Sequence, residues 1–302
     1  MKKAIFGVLL LLFSGLLMAE TPDGLRIENT DSLKFPYKPA LAGAMSLLVP
    51  GGGQIYTGHY LKAGTFLALE AITGSVSYFW HKTSKARSQE AYDLFREART
   101  GTGIDSARVF ENYLQMEHSV LEARYKSYNM ASWMIGGYLF NILDALDASG
   151  VLKDGGYRDP SVAAWLAAIP GLGLGQIYNG SLSKAGLVAM VQVSLGFVAY
   201  NYHRLMREAE KAMVFDKSKY SDNELEIKSV INDEFNRSWE SKRSSAFRNR
   251  NTYLWYSIFF YFYGIFDAVV DAHLHDYDEK MKIWPDLVPQ GDGAQLLLNM
   301  KF

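Results

Sequence analysis

The sequence predicts an all-α membrane protein built from two tandem copies of one unit. Three observations carry that expectation. Pro50-Gly51-Gly52-Gly53-Gln54-Ile55-Tyr56 recurs as Pro170-Gly171-Leu172-Gly173-Leu174-Gly175-Gln176-Ile177-Tyr178, and each copy is followed by Gly-x-x-x-Lys-Ala-Gly. Apolar blocks and long polar segments alternate in the same order in both halves. At an offset of 122, Gly58, Lys62, Gly64, Gly74, His81, Asn129 and Trp133 fall on Gly180, Lys184, Gly186, Gly196, His203, Asn251 and Trp255. Identities in that order at one offset indicate an internal duplication.

Residues 1–19 read as a secretory signal: Lys2 and Lys3, an apolar stretch to Met18, and a cleavage site after Ala19. Residues 20–39 form a polar, proline-bearing periplasmic segment, with a short strand expected within Leu25 to Phe35. The first membrane repeat spans 40–149, a Gly/Asp-rich linker 150–160, the second repeat 161–278 and a tail 279–302. The tail is expected to be a short strand, disordered or loosely paired with residues 25–35.

Each repeat opens with an apolar run too short to cross a bilayer, which takes about 20 residues. Those runs are expected to be half-helices ending at Pro50 and Pro170, because proline and clustered glycines stop a helix and permit backbone that other residues avoid. Ala63 to Trp80 and Ala185 to Tyr202 then read as spans. Polar segments 82–128 and 204–250 read as helical hairpins that form stalks outside the bilayer. Asn129 to Leu143 and Asn251 to Phe266 close the repeats as second spans. A capping box at Ser221-Asp222-Asn223-Glu224 marks a helix start, and one helix is expected from Ser106 to Asp147.

Lysine and arginine fix the orientation. Segments 82–128 and 204–250 hold eight and eleven, whereas 20–60, 148–183 and 273–302 hold three, two and three. The positive-inside rule puts both stalks in the cytoplasm. A cleaved signal puts the mature N-terminus outside, and two spans per repeat return the chain there. The expectation is a four-span inner-membrane protein with periplasmic termini and two repeats of the same orientation.

Chemistry-bearing residues are few. There is no cysteine, and the formal net charge of −1 offers nothing to nucleic acid. The turn residues Pro50, Gly53, Gln54, Tyr56, Pro170, Gly175, Gln176 and Tyr178 read as structural, with Gln and Tyr side chains satisfying turn backbone. Lys62, Lys184, Asp144, Asp147, Asp267, Asp271 and His273 gather at the outer membrane edge as candidate ion pairs or an ion site. No metal is assigned, since His273 lies about 120° around a helix from Asp267 at 100° per residue. Glu70 is a lone intramembrane acid, with Gln192 at the matching position. The glycine turns lack the Gly-Lys-Ser/Thr of a phosphate loop.

The PGxGQIY…KAG element, the polar helical spacer and the closing Ile265-x-Asp267-Ala268-x-Val270-Asp271-Ala272-His273-Leu274 resemble an uncharacterised, domain-of-unknown-function family of bacterial envelope membrane proteins. The likeness covers most of residues 40–290, and the unit occurs twice. The first part also resembles, distantly, the two-transmembrane-helix domain. The first copy departs at its close, Asp144-Ala145-Leu146-Asp147, one residue shorter between carboxylates and without His-Leu. The resemblance implies no reaction and no cofactor. The function expected is non-enzymatic: a structural, assembly or partner-binding role in the envelope, with the bilayer as one partner, a protein on the stalks as another, and self-association compatible with the sequence. A small transporter or channel using Glu70 and the edge Asp/Lys groups is the alternative.

Overall fold

The computed structural model describes residues 37–100, 104–152, 158–213, 225–275, 283–290 and 293–300. Segments 1–36, 101–103, 153–157, 214–224, 276–282, 291–292 and 301–302 lie outside the described residues, and with them the signal, the expected N-terminal strand and the capping box.

Each repeat begins with two short helices, α1 (Pro39–Leu48) and α2 (Gly52–Tyr56) in the first, α5 (Pro160–Ala167) and α6 (Leu174–Tyr178) in the second. Pro39 and Pro160 start α1 and α5, where a missing N–H costs nothing. Asp159 caps α5 by accepting from the Ser161 amide at 2.8 Å. Pro50 pushes Val49 into extended backbone, which ends α1. Gly51 and Gly173 then adopt left-handed φ of 82° and 59° and start α2 and α6. A Cβ on either would strike Ala63 or Ala185 backbone within 3.0 Å, so the turn requires glycine twice over.

Four long helices follow: α3 (Tyr60–Thr100), α4 (Ile104–Ala148), α7 (Leu182–Met213) and α8 (Leu225–Leu274). At 1.5 Å per residue they run from about 50 to about 75 Å. The expected helix from Ser106 to Asp147 is α4, a residue or two longer at each end. They pack in a row, α3 on α4, α4 on α7 and α7 on α8, while α3 and α8 do not touch. The tail pairs with itself as an antiparallel hairpin of β1 (Ile283–Gln290) and β2 (Gly293–Met300). Among the described residues the other elements are all helices.

The sequence suggests two separate stalks, and the helices correct this. Leu121 and Tyr125 of α4, Leu205, Met206 and Ala209 of α7, and Trp239 and Ala246 of α8 share one buried cluster, so the repeats join in a single stalk. A second cluster, Phe66, Phe140, Leu187 and Met190, joins α3, α4 and α7 nearer the turns.

The duplication also has three registers rather than one. Tyr138 donates to the Leu47 carbonyl as Tyr261 does to Ala168, Gln54 to Asn141 as Gln176 to Gly264, and Lys38 N to Tyr56 as Asp159 N to Tyr178. Counterparts are therefore 121 residues apart in α1 and α5, 122 in α2, α3, α6 and α7, and 123 in α4 and α8. Asn129/Asn251 and Trp133/Trp255, matched at 122 by sequence, are thus one residue out of step, about 100° around the helix. Trp133 packs on the second cluster, whereas Trp255 is 59% exposed.

By length and composition, two helices among the described residues could cross a membrane: α7, and α8 from Arg237 to Leu274. In α3 the apolar stretch is interrupted by Glu70 and bounded by Lys62 and His81, and in α4 it is shorter and holds Asn129 and Asn141. These polar residues leave both less apolar than α7 and α8.

Candidate functional site

Every edge residue singled out by the sequence lies at one end of the helix row, at the starts of α3 and α7 and the ends of α4 and α8. In each repeat the two short helices form a hairpin packed on the last turns of the second long helix. Its mouth is closed by the tyrosine: Tyr56 Oη accepts from Lys38 N at 3.2 Å and Tyr178 Oη from Asp159 N at 3.0 Å. Its tip lies deeper along the bundle. Gly173 abuts Ala185, one turn into α7, and Tyr261 reaches Ala168 some ten residues before Asp271. Gly53 and Gly175 sit where the hairpin crosses itself, and a Cβ there would come within 2.8 Å of Ala145 or Ala268 and of the Ala42 or Ala163 carbonyl.

The glutamines tie hairpin to helix. Gln54 Nε2 donates to the Asn141 carbonyl at 2.9 Å and to Asp144 Oδ2 at 3.0 Å; Gln176 Nε2 donates to the Gly264 carbonyl at 2.7 Å and to Asp267 Oδ2 at 3.2 Å. The sequence assigned these side chains to turn backbone. Turn backbone is instead met in the first repeat by Asn141 Oδ1, 2.8 Å from Gly51 N, and Ser46 Oγ, 3.0 Å from Gly53 N. Neither residue stood out in the sequence, because a small polar side chain in an apolar run resembles an ordinary helix position.

Asp144 is the convergence point of the first repeat. It is 2% exposed and accepts from Lys62 Nζ at 3.2 Å, Gln54 Nε2 and, across the repeat boundary, Ser183 Oγ at 2.6 Å. Asp147 also serves the second repeat, accepting from Leu182 N at 3.1 Å where α7 begins. In the second repeat Lys184 is held bidentately by Asp271 at 2.6 and 2.7 Å, with Asp267 at 4.0 Å. The aspartate pairs are therefore not equivalent: the counterpart of Asp147 is Val270, and that of Asp271 is Ala148. This accounts for the one-residue difference in their spacing.

His273 turns back to the Val269 carbonyl of its own helix, 2.9 Å away, and takes no part in this cluster. Among the described residues no group of three His, Asp or Glu side chains is placed to hold a metal ion.

Glu70 lies ten residues into α3, buried against Gly137, where a Cβ would stand 2.8 Å from its Oε1. That oxygen has no hydrogen-bond partner among the described residues. The matching Gln192 bridges to α8, donating to the Ser257 carbonyl at 3.1 Å and accepting from Ser257 Oγ at 3.3 Å. The counterpart of Ser257 is Met134, which explains why Glu70 lacks that bridge.

In the stalk, Tyr92, Phe95, Arg124, Glu208 and Trp239 line a cleft shared by all four long helices. Burial raises the Glu117 carboxyl above its usual range against the opposing hydrogen bond from Tyr113. His118, edge-on to Trp239 with centroids 4.1 Å apart, is lowered from 6.5 to about 4 by burial and then by Lys242.

The model of a Family of unknown function (DUF5683) matches residues 35–150 and again 156–300. The chain belongs to DUF5683. Two matches one after the other coincide with the two structural repeats, so the DUF5683 unit is the hairpin plus a pair of long helices. No curated protein and no solved structure matches the chain.

Proposed function

We propose that this DUF5683 protein is a non-enzymatic, four-span scaffold of the bacterial inner membrane, with both termini periplasmic and the joined stalk in the cytoplasm as the docking arm for a protein partner. One observation carries the membrane reading. In the apolar window of α8 only 11% of residues are buried, against 67% in α7, which leaves Trp255, Phe259 and Phe266 between 59% and 68% exposed. A continuous aromatic face of that size belongs in hydrocarbon or against protein rather than in water. The lysine and arginine excess in 82–128 and 204–250 supports a cytoplasmic stalk. The short hairpins then enter from the periplasmic side as re-entrant elements. Such backbone is tolerated at membrane depth when it is buried in protein, and the Gln, Ser and Asn ties to α4 and α8 supply that burial.

A structural role is supported by where the polar groups go. Lys62, Lys184, Asp144, Asp147, Asp267 and Asp271 all engage helix-to-helix or hairpin-to-helix contacts. The transporter alternative rests on the partnerless oxygen of Glu70, since an unpaired intramembrane acid is a site for a proton or cation. Paired substitutions separate the two. For a scaffold, Glu70→Gln leaves function in a deletion background intact, while Tyr92→Glu in the stalk cleft removes the co-purifying partner. Loss of function in Glu70→Gln with the partner retained in Tyr92→Glu favours transport.

A further inference from the structure

We infer that this protein associates head-to-tail with copies of itself, the exposed face of α8 in one copy packing on the exposed face of α3 in the next. The inference rests on the membrane reading above and on continuity with the interface between repeats. Inside one chain, the boundary is α4 against α7. Gly186 there lies under Phe140 and Leu143, a Cβ on Gly136 would meet Ser194 and Met190 within 3.0 Å, and Ser194 Oγ donates to the Ser132 carbonyl at 3.1 Å. The same positions recur at the two open ends of the row with none of the described residues packed on them. On α3 the counterparts of Gly186, Met190 and Ser194 are Gly64, Ala68 and Ile72, all exposed, and a Cβ on Gly64 meets nothing within 4 Å. On α8 the counterparts of Ser132, Gly136 and Leu143 are Trp255, Phe259 and Phe266, also exposed.

The two ends fit each other rather than themselves. The α3 face is small, with Gly64 and Ala68 four apart, whereas the α8 face is large and aromatic. In a bilayer, where burial from water gives no drive between helices, close approach over small residues is what favours association. A surface that meets a different surface of the next copy is heterologous, so it builds a ring or a chain rather than a closed twofold dimer. Copies joined this way repeat the α3–α4–α7–α8 row without a break, with α8 antiparallel to the neighbouring α3 as α4 is to α7.

Cysteine pairs in the full-length chain test this, because the natural sequence has none. A Cβ on Gly186 stands 3.0 Å from Leu143 Cβ, so Gly186→Cys with Leu143→Cys closes within one chain and reports native packing in the membrane. Its counterpart across copies is Gly64→Cys with Phe266→Cys. Mild oxidation of membranes is expected to link these into a ladder beyond dimer, whereas coexpressed single variants stop at dimer. Gly64→Cys with Trp255→Cys, displaced about 16 Å along the helix, links weakly or not at all. Gly64→Phe, which has room in the isolated chain, abolishes the ladder formed by Ile72→Cys with Phe259→Cys. Absence of a ladder where the Gly186/Leu143 control closes, equal ladders in both registers, or dimers from Gly64→Cys alone would overturn the association, a lipid-covered monomer being the first of these outcomes. Thiol labelling that finds Ser88→Cys and Ser161→Cys on the same side of the membrane sinks the membrane reading itself, a failure distinct from any of those.

Discussion

Ser183 Oγ donates to Asp144 Oδ1 at 2.6 Å, joining the first turn of α7, in the second repeat, to the carboxylate that closes the first. Because Lys62 and Gln54 meet the same carboxylate, the first repeat's ion pair is sealed by the second repeat, and its lysine side chain is 15% exposed against 41% for Lys184.

That asymmetry orders the aspartates. Asp144→Ala leaves the Lys62 ammonium enclosed without its partner, and breaking one side of a buried pair costs about 3–5 kcal/mol. Asp271→Ala, whose lysine reaches water, is expected to cost about 1 kcal/mol or less. Thermal unfolding in detergent, followed by tryptophan fluorescence, ranks the two; equal losses would contradict the sealed pair.

Gly53 and Gly175 face the tightest contacts of the hairpins. Alanine at either overpacks the crossing and is expected to cost about 1–3 kcal/mol. In the dissociated chain Gly64→Ala meets no atom and removes a helix-interior glycine, for a gain of about 0.5–1 kcal/mol. The opposite signs are measured in the same unfolding experiment.

Glu70→Gln replaces a buried carboxylate with a partnerless oxygen by the neutral side chain that the second repeat already uses at Gln192. The change is expected to be neutral or stabilising by up to about 1 kcal/mol. A marked loss of stability would mean that the carboxylate has a partner of its own.

The stalk should weaken in mild acid. His118 binds its proton near 4 in the fold and at 6.5 unfolded, so the unfolded chain holds more protons between those values and stability falls as pH drops from 6.5 toward 4. Facing it are Ser238, Trp239 and Lys242 of α8. His118→Gln is expected to flatten that part of the stability–pH curve. An unchanged slope would assign the acid sensitivity to other groups.

Much of this architecture was legible in the sequence, for physical reasons. Proline beside clustered glycines ends a helix, so both turns could be placed at Pro50 and Pro170. Charges at the edge of an apolar run have to be paired, which ties Lys62 and Lys184 to the aspartates. The repeat registers were not legible. One added residue in a polar segment is invisible to a fixed offset, and Trp133 and Trp255 matched by identity while pointing about 100° apart. The roles of Ser46, Asn141 and Ser183 have no signature in the sequence, because hydrogen bonding between distant helices leaves no local periodicity. The merging of two stalks into one depends on Leu121, Leu205 and Trp239 meeting across three helices, which amphipathic patterning cannot specify.

The central claim, a membrane array with its turns outside and its stalk inside, is tested most directly by labelling Ser88→Cys and Ser161→Cys with a membrane-impermeant maleimide. Ser161→Cys, beside Pro160 at the mouth of the second hairpin, is expected to react in intact spheroplasts, and Ser88→Cys, on the exposed side of the α3 stalk, only after permeabilisation. Reaction of both in intact spheroplasts, or release of the protein from membranes by alkaline carbonate, would contradict the account.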